Sequence, residues 1–321
     1  MSKFVSFVTV AAFALTAASA SAADFTRPVR IVVPFAPGGT SDILARLIAP
    51  KLSTAIGQPV VVENKPGAGG NIGADAVAKA PKDGHTLLLM DVGSLATAPA
   101  LVPSLTYDVE KDLAPVTMVM FGPYVLATNP ELGVKTPVEL VAYGKANPGK
   151  LTMANSGVGA VNHLTAIILG KGTGMTFKHI PYKGGAAASK AVVAGESNVI
   201  INGTTATLPF VTSGQMTGIA VTGPARLKAA PSLPTFKELG WPADENGTWQ
   251  GLLTTGGTPP AIVDRLNAEV RKILAEPEIA QKIGEQGGEV KAGTPAEFKA
   301  WLTKNIASFG AEIKAAGLKV E

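Results

Sequence analysis

The chain has no cysteine among its 321 residues, which excludes a disulfide framework, a thiol nucleophile and a cysteine-ligated metal site. Long hydrophobic runs are missing too, apart from the first residues. There, Met1-Ser2-Lys3 precedes an apolar stretch from Phe4 to Ala17 and a small-x-small site at Ala20-Ser21-Ala22. A positive start, a short apolar core and small residues describe a cleavable signal peptide rather than a membrane span. Cleavage after Ala22 leaves 299 residues, and the absent cysteine rules out a lipid-anchored product. The later apolar runs are all short, so no transmembrane helix is expected. Basic blocks are also lacking. Without Lys3 the chain carries 27 basic and 24 acidic residues, a net charge of +3 spread along its length. That pattern argues for anionic ligands and against nucleic acid. An exported chain without disulfides stands on its hydrophobic core, and its length suits two domains.

What is present alternates between strand and helix signals. Val29–Val33 reads as a buried strand, followed by Pro34, Pro37, Gly38 and Gly39, then Thr40, Ser41 and Asp42 as N-cap candidates before Ile43, Leu44, Leu47 and Ile48. Such an element points backbone N–H groups, at the positive end of a helix, towards an anion; it is also a common strand-to-helix connection. Pro50 either kinks this helix or ends it at Ala49. Short apolar runs at Val60–Val62, Thr86–Met90, Val116–Met120, Val125–Ala127, Leu151–Ala154, Val199–Ile201, Ile219–Val221 and Leu252–Thr254 read as further strands. Thr136-Pro137-Val138-Glu139 and Thr294-Pro295-Ala296-Glu297 have the form of capping boxes with proline in the first turn. Thr258-Pro259-Pro260 opens another helix, with Ile262, Val263, Leu266 and Val270 on one face, and Glu297–Leu318 is expected to form a last helix packed on the body. The alternation predicts an α/β fold with mostly parallel sheets flanked by helices.

Three further stretches could carry chemistry. Glu63–Gly73 holds a glycine-rich loop that matches neither a phosphate loop nor a dinucleotide fingerprint. Asn155-Ser156-Gly157-Val158-Gly159 follows a strand and repeats the plan of the opening element. Ser156 with His163 invites a hydrolase reading, yet Gly-x-Ser-x-Gly is absent and no oriented acid is identifiable, so His163 is read as structural. Finally, Val199–Ile201 runs into Asn202, Thr204 and Thr205 at a strand's carboxyl end, where open α/β sheets bind ligands, while His179 and Lys183 are read as a solvated loop.

Pro34–Asp42, Glu63–Asn71, Ala80–Thr86, Ala146–Leu151 and Pro181–Gly184, in this order across the chain, resemble the Bug family, the periplasmic solute-binding receptors of tripartite tricarboxylate transporters. The resemblance implies a two-lobed periplasmic binding protein (clamshell), with residues 23–123 plus 248–321 as the first lobe and 124–247 inserted as the second. It implies a small organic acid as ligand, the membrane subunits of a tripartite transporter as partner, periplasmic location and no catalytic residue, metal or cofactor; the chain is expected to be a monomer. Carried over, the ligand-binding residues are Gly38, Gly39, Thr40, Asp42, Ala68 and Asn71 on one side and Ser156, Gly157 and Gly159 on the other. The strand-end reading adds Asn202 and Thr204, and Phe35, Phe121, Tyr124 and Leu95 are further side chains that could line the cleft and set its size. Where family members often carry acids, this chain has Asn198, Asn202 and Ile167, which favours a ligand without an amino group. A sensor that presents its ligand to a membrane kinase is the alternative reading, and an exported esterase built on Ser156 a further one.

Overall fold

The computed structural model describes residues 25–243, 246–285 and 287–317; the expected signal peptide with its cut after Ala22, and Leu318, lie outside the described residues. The first strand, β1 (Val29–Val33), leads to α1 (Thr40–Ile56), then β2 (Val60–Asn64), α2 (Asn71–Ala78), β3 (Thr86–Asp91) and α3 (Val92–Leu101). A long strand, β4 (Leu113–Thr128), follows. Beyond it come α4 (Pro137–Ala146), β5 (Leu151–Asn155), α5 (Val161–Thr173), β6 (Phe177–Pro181), α6 (Gly185–Val193), β7 (Val199–Gly203), α7 (Thr204–Thr212) and β8 (Thr217–Val221). The chain returns through β9 (Gly247–Thr255), α8 (Pro260–Leu274), α9 (Pro277–Glu285), β10 (Glu289–Val290) and α10 (Pro295–Ala316).

Strand order is β2-β1-β3-β9-β4-β7-β5-β6, with β8 and β10 also paired to β4. The strands linked by helical crossovers pair in parallel: β1 with β2 and β3, and β5 with β6 and β7. Every antiparallel pair involves β4 or β9. Parallel strands need apolar residues on both faces because helices cover both sides, and Leu87, Leu88 and Leu89 of β3 are fully buried.

β4 replaces two expected strands, Val116–Met120 and Val125–Ala127, by one that runs through Gly122 and Pro123. Its first part pairs with β9, ending at Pro123 opposite Gly247, and from Tyr124 onward it pairs with β7 and β8. Proline lacks the N–H that a ladder needs, so a change of partner is where a strand tolerates it. Gly247 is required by close approach: a Cβ there would collide with the Phe121 ring and the Gly122 carbonyl.

Both capping boxes form. Thr136 Oγ1 accepts from Glu139 N–H at 3.2 Å while the Glu139 carboxylate accepts from Thr136 N–H at 3.1 Å, and Thr294 and Glu297 do the same at 3.2 and 2.7 Å. Two start signals differ. α1 is capped by Gly39, which places Thr40, Ser41 and Asp42 inside its first turn. Thr258 does not cap α8; Pro259 occupies that position, and the Thr258 hydroxyl donates to the Thr255 carbonyl at 2.8 Å. α1 continues through Pro50 to Ile56 and stops at left-handed Gly57. Helix α10 lies against α3 and β4 with Phe298, Leu302, Phe309 and Ile313 buried.

Thr294→Ala is expected to lower unfolding free energy by about 1 kcal/mol through the lost cap. Phe298→Ala, which empties a fully enclosed site, is expected to cost about 3–5 kcal/mol. Urea denaturation of both variants checks the difference.

A candidate anion-binding cleft

Strands β1 and β3 run antiparallel to β5 and β7 across β9 and β4, so the two sets of carboxyl ends face each other, and the helices that follow them begin around a single cleft. Five helix starts border it: Gly39 caps α1, Asp91 caps α3, Ala160 caps α5, Gly203 caps α7, and Gly185 is the first residue of α6. The leading N–H groups of a helix lack intrahelical acceptors and carry partial positive charge. Phe35, Ser41, Ser94, Tyr124, Ser156, Asn162, Asn202, Thr248 and Gln250 are among the remaining lining residues. The lining contains no lysine, arginine or histidine, and Asp91 is its one carboxylate.

Of the residues expected from the sequence, Phe35, Gly39, Thr40, Ser156 and Asn202 line this cleft, as does Tyr124. Asp42 does not. Its carboxylate accepts from Gly38 N–H at 2.9 Å, from Asn64 Nδ2 at 2.9 Å and from Arg46 Nε at 3.0 Å, so it braces the turn before α1. Burial works to raise the Asp42 pKa, but these bonds and the Arg46 charge outweigh it and hold the group below its ordinary value. Gly38 lies in that same turn. Asn71 Nδ2 donates to the Ala68 carbonyl at 2.8 Å, and Asn71 Oδ1 accepts from Tyr107, so this pair shapes its own loop.

Gly157 and Gly159 also stand outside the lining. At left-handed Gly69 a Cβ would come within 2.8 Å of the Val158 carbonyl, and one at Gly157 within 3.2 Å of the Gly69 Cα. The loop after β2 and the loop after β5 therefore touch, and bare glycine backbone on both sides permits it. The Gly159 carbonyl accepts from Thr97 Oγ1 at 2.7 Å. Thr204 turns its hydroxyl away, donating to the Gly287 carbonyl at 3.2 Å. Leu95 is buried, and Phe121 packs on Trp249 on the opposite face of the strand pair.

Residues that sequence reasoning missed complete the cleft. Ser41 Oγ donates to Gln250 Oε1 at 2.7 Å, and Gln250 Nε2 donates to Thr248 Oγ1 at 2.6 Å. Asn162 Nδ2 donates to Ser156 Oγ and to the Ile201 carbonyl, each at 3.0 Å, while Ser156 Oγ donates to Asn202 Oδ1 at 3.4 Å. Asn202 Nδ2 in turn reaches the Gly185 carbonyl at 3.1 Å and Ser189 at 3.2 Å. The available signals were the N-cap residue Asp91 after a strand and the period-two alternation of Thr248 and Gln250 on β9. Asp91 Oδ1 accepts from Gly93 N–H at 2.9 Å, and Tyr124 OH approaches Oδ2 at 3.4 Å. Burial pushes Asp91 up to about 6 against bonds from the Gly93, Trp249 and Ser94 N–H groups and the Thr248 hydroxyl. Burial, with the adjacent Asp91, also raises Tyr124 well above its usual range.

The two histidines near this region pair with each other at 4.7 Å between ring centroids. His163 Nδ1 accepts from Gly159 N–H at 3.3 Å, and burial, then His179, lowers its pKa to about 4. His179 is not in a solvated loop as expected: it sits within β6, packed between His163 and Phe177, because its strand edges the sheet beside α5. The Ser156 hydroxyl is engaged by two asparagines, an arrangement that orients an acceptor or donor but supplies no general base. Among the described residues no group of three or more histidines and acids could hold a metal, and no helix is long and apolar enough to cross a membrane.

An α/β sheet flanked by helices, with a polar cleft beyond the carboxyl ends of its strands, is the architecture of the periplasmic binding proteins. Residues 44–318 match the family described as "Tripartite tricarboxylate transporter family receptor". The chain is 35% identical to BugT of Bordetella pertussis over 296 residues, 92% of this chain and 91% of that protein. The solved structure of the periplasmic binding protein BugD superposes with a TM-score of 0.88 at 35% identity, covering 92% of this chain and 99% of that one. Rpa4515 of R. palustris, solved with adipate, gives 0.88 at 33% identity with the same coverage. MatC of Rhodopseudomonas palustris, solved with malate, gives 0.85 at 30%, covering 90% of this chain and 99% of that one. This chain belongs to the tripartite tricarboxylate transporter receptor family, that of the Bug proteins.

Because the Asp42 pKa is lower folded than unfolded, its charge stabilises the fold above about pH 4, and that contribution is lost as pH falls through the folded value. Asp42→Asn is expected to be less stable at neutral pH and to show a smaller further loss between about pH 5 and 2 than the parent. Equilibrium denaturation across that range measures both slopes.

Proposed function

We propose that the chain is an exported receptor that captures a small organic acid and delivers it, as a monomer, to the membrane subunits of a tripartite transporter. The leader ends at Ala22 and the mature chain works in the periplasm. The observation that carries this reading is the convergence of five helix starts on a cleft whose lining has no cationic side chain. Fixed amide dipoles bind a carboxylate strongly in a water-poor cleft, because their orientation is already set by the fold. Relatives solved with adipate and malate support an acid as the ligand class.

Residues 23–123 plus 248–321 form one lobe and 124–247 the other, with the hinge at the facing pair Pro123 and Gly247. Phe35, Gly39, Thr40 and Ser41 approach the acid from the first lobe; Ser156, Asn162, Gly185 and Asn202 approach it from the second. Ala36 N–H donates to the Lys183 carbonyl at 3.2 Å, and Gly69 meets Gly157 and Val158, contacts that latch the lobes over the ligand. The acid shifts the population towards this closed form in proportion to its preference for it. Gly38, Asp42, Ala68, Asn71, Gly157, Gly159 and Thr204 then serve the site by shaping its loops.

A carboxylate panel in a thermal-shift screen tests the function. An acid at a hundred times its dissociation constant adds about 2.7 kcal/mol of stability. A shift with acids and none with their neutral amides is expected; equal shifts with both, or none with any acid, sink the reading. Gly69→Ala places a Cβ against the Val158 carbonyl in a left-handed conformation, at about 1–2 kcal/mol. It is expected to weaken acid binding about tenfold, as read by calorimetric titration.

A further inference from the structure

The cleft is built for negative charge, yet the one ionisable acid in its lining is itself negative when ionised. Asp91 ends β3, caps α3 and keeps part of its surface open to the cleft. The first-lobe groups beside it, Ser41, Ser94, Thr248 and Gln250, are all uncharged. The second-lobe lining holds Ser156, Asn162, Asn202 and the starts of α5, α6 and α7, and no acid. Both ends carry helix-start dipoles, α1 and α3 on the first lobe and α5, α6 and α7 on the second, but only the first sets a carboxylate of the protein beside whatever the ligand brings.

Resting on the receptor reading above, we propose that Asp91 determines specificity by excluding a second full negative charge, so that the cleft takes organic acids as monoanions with an uncharged or proton-sharing distal group. Two carboxylates in one desolvated site cannot both stay ionised without a counter-charge, and they resolve this by holding a proton between them. The surrounding elements provide no such counter-charge. β4 contributes only Tyr124, whose hydroxyl already reaches Asp91 at 3.4 Å, and neither α3, β7, α7 nor β9 carries a titratable side chain. α1 brings Asp42 and Arg46, which neutralise each other at 3.0 Å, and Lys51, which pairs with Glu276; α5 brings His163, held neutral against Gly159, and Lys171, and α6 brings Lys190, both exposed and outside the cleft lining. Asp91 gains charge as pH rises through about 6, so the exclusion is weak in acid and strong above neutrality.

Calorimetric titration of the parent and Asp91→Asn with two matched pairs, adipate against monomethyl adipate and succinate against succinamate, tests this at about pH 5 and about pH 8. Asparagine keeps an oxygen that accepts from Gly93 and caps a helix equally well, but its amide nitrogen cannot accept from Tyr124, so thermal denaturation of the variant accompanies the titration, and the pH response of the folded variant reports the ligands' own titration. The parent is expected to favour the monoanion by about tenfold more than Asp91→Asn does at the higher pH, and the gap to close at the lower. A second reading needs no variant. At about pH 7, in buffers of different ionisation enthalpy, the parent should take up close to one proton on binding the dianion and less on binding the monoanion. The same preference in parent and variant, or dianion binding without proton uptake, overturns the role of Asp91 while leaving the receptor standing. If the parent binds no acid at either pH, the receptor reading falls and this inference falls with it.

Discussion

Backbone pairing between β4 and β9 is the constraint on which the rest of the molecule hangs. One sixteen-residue strand passes from pairing with β9 to pairing with β7 and β8, and the change falls at Pro123 opposite Gly247. Strand alternation then assigns the side chains. Tyr124, Thr248 and Gln250 face the cleft, while Phe121 and Trp249 face away, and Trp249 stacks on Trp301 of α10 at 5.3 Å. The element that joins the two halves thus also forms the floor of the site. A slip of one residue would exchange the polar floor for aromatic rings.

Holding an anion without a basic side chain has a physical advantage. A buried arginine needs a counter-charge whenever the ligand is absent, at a desolvation cost of several kcal/mol. Helix-start amides do not, because their partial charges are part of the backbone and cannot be left ionised and unpaired. The polar side chains beside them are satisfied internally, through Ser41, Gln250 and Thr248 on one side and Asn162, Ser156 and Asn202 on the other. These networks fix the direction of each hydroxyl and amide before any ligand arrives. Asp91 is the exception, a carboxylate retained in the same space, where it ties α3 to β4 and β9.

Glycine and threonine had clear meanings in the sequence where the interaction is local. The capping boxes at Thr136 and Thr294 involve residues three positions apart, so spacing alone identifies them. Asp42 misled for the opposite reason. A carboxylate near a glycine turn suits a ligand contact, and only Asn64, on another strand, and Arg46, one turn along the helix, reveal that it braces the loop instead. Thr258 has the look of a cap, yet the double proline moves the helix start past it. β4 read as two strands because Gly122-Pro123 normally ends one, and partners more than 70 residues away decide otherwise.

The sequence by itself determined the alternation of strands and helices, the helix ends set by neighbours within a turn, and the family, since these depend on short-range spacing and on motifs in order along the chain. Tertiary structure decided the cleft. Five helix starts, two asparagine amides and Asp91 lie far apart in sequence and meet only because the carboxyl ends of β1 and β3 face those of β5 and β7 where β4 changes partner. Which of those groups face inward depends on register and on desolvation, and both arise from packing between segments that local spacing does not encode.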